Sequence, residues 1–199
     1  MPDFFEVVHT QRATRSFLPE DVDDETIARI LTAATHAPSA ENSQPFAFVV
    51  VRDPAARAAI GELTARLWRG GARALEEQRL SPALLHDVDH GAMGGIAGAP
   101  VLVVVCGDAR LTFGPSLPAS VFPAVQNLLL AAHALGLGST LTTLPVLGGH
   151  ELSELLGLPS EVEPMAVIPL GHPSVPPGRP RRRPVTQKAH RERYGTPFP

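Results

Sequence analysis

Two arginines, Arg12 and Arg15, stand three residues apart where an N-terminal helical stretch ends. At that spacing two guanidinium groups share adjacent ground, suited to a phosphate or to an electron-rich ring edge, although paired surface arginines are often only solvated. The other chemistry-bearing residues fall away in turn. The only lysine is Lys188, followed by Ala189, so neither a nucleotide P-loop nor a lysine Schiff base is available. Gly136-Leu-Gly-Ser-Thr-Leu141 lacks the third glycine of a dinucleotide fingerprint and follows a helix rather than a strand, so it reads as a helix C-cap. No Gly-x-Ser-x-Gly elbow exists, and Cys106 sits inside an apolar strand where its thiol stays protonated and inert. His86 and His90, at i and i+4, could face a metal if residues 82–91 are helical, but no third ligand is identifiable; they read as a solvated polar face, and no metal site is assigned. His133 reads as a hydrogen-bonded core histidine rather than a ligand or base. What survives elimination is an organic cofactor held by polar loops and arginines, with no side chain nominated as a catalytic acid, base or nucleophile.

Composition bounds the frame that must position these groups. The chain has 199 residues, 44% hydrophobic and 19% charged, which fits one globular domain over residues 1–199. A single cysteine forbids an intrachain disulfide, and the opening MPDFFEVVHTQR holds acids and no long apolar run, so the expectation is a cytoplasmic protein without an export signal. From Leu111 to Gly149 there is no Asp, Glu, Lys or Arg, yet Pro115, Pro118, Pro123, Gln126 and Asn127 interrupt the run, and Gly136, Gly138, Gly148 and Gly149 break its end. A buried helix shared with a second subunit explains it better than a membrane span. Residues 1–178 carry a net charge of −9 and residues 179–193 one of +6. This basic arm lacks interleaved aromatics and hangs on an acidic body, which argues against nucleic acid as a partner and leaves a phosphate clamp, a partner-covering tail or a solvated tail.

Helices and strands alternate along the chain. A short helix around Phe4–Val8 precedes Arg12; a second, capped by Asp23 or Asp24, carries Ile27, Ile30, Leu31 and Ala34 at helical spacing until Ala37-Pro38 stops it. The polar loop 38–45 leads into a β-branched strand, Phe46–Val51, and Asp53-Pro54 opens a helix over 54–68. Residues 70–99, rich in glycine, form a lid or variable segment. Val101–Cys106 is apolar on both faces and therefore central in its sheet. A helix over 119–135, a short one over 150–156, a strand at Met165–Leu170 and an extended basic tail over 174–199 complete an α+β fold, with helices packed on a small sheet.

Four motifs in order resemble the FMN-dependent nitroreductase superfamily across nearly the whole chain. Gln11-Arg-Ala-Thr-Arg-Ser-Phe17 is similar to the family's Arg-Arg-Ser-x-Arg-x-Phe, with Gln11 in place of the first Arg and Ala13 in place of Ser. Pro38-Ser-Ala-Glu-Asn-Ser-Gln-Pro45 resembles the Pro-Ser-x-x-Asn-x-Gln-Pro loop. Gln126-Asn-Leu to Gly138-Ser139 resembles the long central helix and its Gly-Ser turn, and Leu170-Gly-His-Pro173, with Arg181 and Arg183-Pro184, resembles the closing turn and tail arginines.

The resemblance implies a mixed, mostly antiparallel central sheet, an interlocked homodimer, and FMN as cofactor. It places Arg12, Ala13 and Arg15 at the phosphate and at the N1/O2 edge of the flavin, and Arg181 and Arg183 at the phosphate. Leu141, Thr142 and Thr143 would present backbone to the flavin face, while Pro38, Ser39, Ala40, Asn42 and Gln44 would reach the flavin of the partner subunit. Arginines suit both anionic places, the phosphate and the N1/O2 locus of the reduced ring. The implied activity is a ping-pong oxidoreductase that takes hydride from NADH or NADPH and reduces a small electron-poor acceptor, nitroarene- or quinone-like. Dehalogenation, flavin fragmentation, azoline oxidation and a flavin store or sensor without turnover are the alternatives.

Overall fold

The structure, a computed structural model, describes residues 2–176 and 178–198. Seven α-helices are found among them: α1 (Phe4–Thr10), α2 (Asp24–Thr35), α3 (Pro54–Leu67), α4 (Arg73–Glu77), α5 (Pro82–His90), α6 (Ser116–Ala134) and α7 (His150–Leu156). They cover a four-stranded sheet made of β1 (Phe46–Val51), β2 (Val101–Asp108), β3 (Gly138–Ser139) and β4 (Val162–Gly171), in the order β1-β2-β4-β3. Every neighbouring pair is antiparallel. The expected mixed character reduces to one isolated parallel bridge between Ala13 and Ser139.

Residues Val101–Cys106 are fully buried because both faces of the sheet are covered. Side chains alternate across a strand, so Val101, Val103 and Val105 meet Ile27 and Ile30 of α2 and Val121, Val125 and Leu128 of α6. Leu102, Val104 and Cys106 turn the other way, onto Ile60 and Leu63 of α3 and Leu152 of α7. Each fully buried Leu or Ile contributes about 1.5–3 kcal/mol relative to exposure. Burial also pushes the Cys106 thiol up to about 11, which keeps it protonated.

Local chemistry sets the helix ends. Asp23 caps α2 by accepting from the Thr26 amide at 2.7 Å, and Asp53 caps α3 ahead of Pro54. α6 begins at Ser116, earlier than the expected 119, because Pro118 falls in the first turn, where no amide donor is required. At its other end, Gly136 takes φ +82°, its amide bonds His133 O, and the Leu137 amide bonds Ala132 O. This is a Schellman cap, as the C-cap reading anticipated. The chain itself covers much of α6, leaving an outer stripe that includes Ala119, Phe122 and Gln126 exposed. Among the described residues no helix is long and apolar enough to cross a membrane.

The segment 70–99 is more helical than its glycine content suggests. A wide turn at Trp68–Ala72 joins α3 to α4, and a second at Gly91–Gly95 follows α5. Wide helical turns of this kind often accompany functional sites.

Candidate functional site

The site grows from the edge of the sheet. Gly138 pairs with Gly171, Ser139 with Leu170 and Thr142 with Val167, all in one antiparallel register. That register sets Thr140 opposite Pro169, which has no amide to give, so the ladder lapses there and resumes at Thr142. Residues Thr140–Leu144 then line a cavity of about 510 Å³, whose other walls include Trp68, Leu80, Leu84 and Val88. Leu141, Thr142 and Thr143 are thus gathered on one wall.

Trp68 holds the far side of this cavity. It is buried, and its indole N–H donates to Asp89 Oδ1 at 2.6 Å, while Arg73 Nε donates to the same oxygen at 3.1 Å. The Asp89 carboxyl is held below the usual range, chiefly by the indole hydrogen bond. Glu76 and Arg79 pair at the rim.

The segment that carries the two arginines is an added edge, not the end of a helix. α1 stops at Thr10, and the following residues run extended beside β3: the Thr14 amide donates to Ser139 O at 3.0 Å, and the Leu18 amide to His172 O at 2.8 Å. Thr14 is buried against Gly138, where an added Cβ would lie 2.7 Å from Thr14 Cγ2. Helical spacing is therefore not what brings Arg12 and Arg15 together. Instead, both line a second cavity of about 300 Å³, with Asp87, Val175 and Gly178. Arg15 borders both cavities and pairs with Asp87 at 2.5 Å. One cavity is walled by apolar side chains and strand backbone, the other flanked by two guanidinium groups. The donor set suits a flat aromatic group that bears an anion.

Residues 8–172 match the family model described as the Nitroreductase family. The chain belongs to the nitroreductase family. It is 33% identical over 181 residues to a protein of Methanothermobacter thermautotrophicus provisionally named NADH dehydrogenase/NAD(P)H nitroreductase, covering 88% of this chain and 80% of the relative. It is also 33% identical over 172 residues to the 5,6-dimethylbenzimidazole synthase of Rhodospirillum rubrum, covering 82% and 78%. A crystal structure from Desulfovibrio desulfuricans, of a provisionally assigned nitroreductase in complex with FMN, superposes with a TM-score of 0.73 at 28% identity, covering 98% of this chain and 99% of that one.

Two groups of family-matched residues lie apart from both cavities. The loop containing Pro38, Ser39, Ala40, Asn42 and Gln44 sits at the start of α6, where the Ala40 amide donates to Ser120 Oγ at 3.0 Å. It holds three non-glycine residues at positive φ, Glu41, Asn42 and Gln44, between +48° and +57°. Such backbone is retained only where surrounding contacts enforce it; here the Gln44 amide donates to Ser39 Oγ at 3.0 Å. The Ser43 hydroxyl is buried without a hydrogen-bond partner among the described residues. Arg181 and Arg183 lie exposed on the extended tail.

His133, expected as a bonded core histidine, meets Thr10 Oγ1 at 2.8 Å and ties α6 to α1. The Thr10 hydroxyl donates to Glu6 O, so the imidazole Nε2 is the donor to Thr10. His86 and His90 do lie on a helix, and among the described residues no group of three or more potential metal ligands is found. The acids beside them have other work, Asp87 on Arg15 and Asp89 on Trp68 and Arg73. Sequence reasoning did not assign Trp68, Asp87 and Gly91 to the site; the one visible signal for Asp87 and Gly91 was the helical spacing of residues 82–91, and Trp68 carried none.

Proposed function

We propose that this protein binds FMN across its two joined cavities and works as an oxidoreductase, drawing electrons from NADH or NADPH to reduce a small electron-poor acceptor such as a nitroarene or quinone. The observation that carries this reading is the position of Arg15 at the junction of an apolar cavity and a guanidinium-flanked one. In that arrangement Arg12 holds the phosphate, Arg15 meets the N1/O2 edge, and Ala13 leaves room beside them. The Leu141–Thr143 backbone supports the ring, and Arg181 and Arg183 fold onto the phosphate when it is present. Bound FMN supplies the hydride chemistry, so the chain's own tasks are to orient the ring, exclude water and balance charge.

The reading includes a homodimer in which the Pro38–Pro45 loop of one protomer closes the site of its partner. The strained turn at Glu41–Gln44, the buried Ser43 hydroxyl without a partner among the described residues and the exposed stripe of α6 support it. So do Phe4 and Phe5 of α1, each 65% exposed. A second reading keeps FMN but consumes it or uses it in another reaction; the equal identity to a 5,6-dimethylbenzimidazole synthase supports that one.

Titration of the apoprotein with FMN, followed by flavin fluorescence and paired with the mass in solution, tests the proposal. Saturable binding at one FMN per chain by a species of twice the chain mass is the expected result. A monomer, or a protein that leaves FMN fluorescence unchanged, overturns it.

A further inference from the structure

Asp87 lies on α5, inside the segment that the family motifs leave unassigned, and it makes the one salt bridge to Arg15 found among the described residues. The Arg15 side chain is 20% exposed and that of Asp87 46%. The next residue along the same helical face is Gly91, where an added Cβ would lie 2.7 Å from Arg15 Cδ. One further turn on is Gly95, where an added Cβ would lie 2.1 Å from the Arg15 carbonyl oxygen. Three residues at a spacing of four thus present to Arg15 a carboxylate for its head, an open slot for its stem and an open slot for its backbone. The wide turn at Gly91–Gly95 keeps that face aimed at Arg15 past the end of α5.

We infer that α5 is the holder of Arg15, with Asp87 as a positioning residue that also partly offsets its charge, so that Asp87 sets the reduction potential of the bound flavin. The inference rests on the FMN reading above and deepens it. An arginine at the N1/O2 edge favours the negatively charged reduced ring. A carboxylate 2.5 Å from that arginine opposes the effect, because the ring then faces an ion pair rather than a lone cation. Asp87 also borders the cavity assigned to the phosphate, where its charge opposes the anion. Its removal therefore strengthens binding of reduced FMN more than of oxidised FMN.

The test compares Asp87→Asn with the wild type, each saturated with FMN. Midpoint potentials are measured against a reference dye, FMN dissociation constants by fluorescence, and thermal midpoints on the apoproteins. For Asp87→Asn the preference for reduced over oxidised FMN is expected to rise about tenfold, a positive shift of about 30 mV for a two-electron couple. Asp87→Glu keeps the charge and is expected to restore the wild-type potential. Gly91→Ala displaces the Arg15 stem without changing any charge, and is expected to weaken FMN binding and shift the potential negative. A wild type that binds FMN beside an Asp87→Asn protein of unchanged potential overturns this inference alone. A shift that appears only as a lower thermal midpoint, with the potential unmoved, overturns it too. A wild type that binds no FMN overturns the FMN reading and this inference together. If Asp87→Asn does not fold, Gly91→Ala decides: unchanged affinity and potential overturn the inference.

Discussion

Among the described residues Arg15 is the one side chain that borders both cavities, so the effect of Arg15→Ala on FMN binding measures how the site is built. The guanidinium is largely enclosed, and a charge-assisted contact of this kind is worth about 1.5–3 kcal/mol, or roughly a 10- to 150-fold weaker dissociation constant. The upper part of that range is expected, because the substitution also leaves the Asp87 carboxylate unpaired beside the cavity assigned to an anion. Arg15→Ala combined with Asp87→Ala therefore recovers part of the lost affinity. Fluorescence titration of the apoproteins reads both numbers. The thermal midpoint of apo Arg15→Ala should move little, since a partly exposed ion pair contributes about 0–1 kcal/mol to folding. Arg191→Ala, exposed on the tail beyond the matched motifs, is the control, with affinity within about twofold of wild type. An Arg15→Ala protein that binds FMN as tightly as that control removes Arg15 from the site and refutes the reasoning.

Gly138→Ala forces a methyl to within 2.7 Å of Thr14 Cγ2, which should cost about 1–3 kcal/mol of stability and weaken FMN binding, because Thr14 anchors the segment carrying both arginines. Gly70→Ala, where the added carbon meets nothing within 4 Å, should change neither, and equal effects at the two positions would count against this packing argument. The His133 imidazole is held below its usual range, because burial disfavours the cation more than Glu6 favours it. The unfolded chain thus takes up a proton that the native one refuses, so this stabilisation is complete above about pH 6.5 and is lost as the pH falls toward the lower folded value. His133→Gln should flatten the fall in thermal midpoint between about pH 7.5 and 5.5; a fall parallel to that of the wild type would exclude His133 as its source.

Where burial follows from composition, the sequence and the structure agree. Val101–Cys106, apolar at every position, occupies the only kind of place that covers both faces, and Asp23 and Asp53 cap the helices that follow them. Gly136 was legible because a helix end that needs positive φ favours glycine. What was not legible depends on pairing between distant residues. β3 is two residues long because Pro169, thirty positions away, interrupts its ladder, and nothing near Ser139 announces this. Helical spacing predicts adjacent guanidinium groups at Arg12 and Arg15, but these residues are extended, and pairing with β3 sets both beside one cavity. The glycines of segment 70–99 read as a lid or variable segment; that Gly91 and Gly95 also leave the space in which Arg15 is approached closely shows only in the packing. The Pro38–Pro45 loop shows in one chain its strained backbone and, among the described residues, a Ser43 hydroxyl without a partner.

The most direct measurement is the visible absorption spectrum of the purified protein after FMN addition and desalting, followed anaerobically by addition of NADH and then, in a separate sample, NADPH. The expected result is a retained flavin spectrum that bleaches with at least one nicotinamide and returns when a quinone or nitroarene is added. A protein that emerges from desalting without flavin contradicts the assignment of Arg12, Arg15 and the Thr140–Leu144 wall to an FMN site. A retained flavin that neither nicotinamide bleaches contradicts the proposed oxidoreductase cycle.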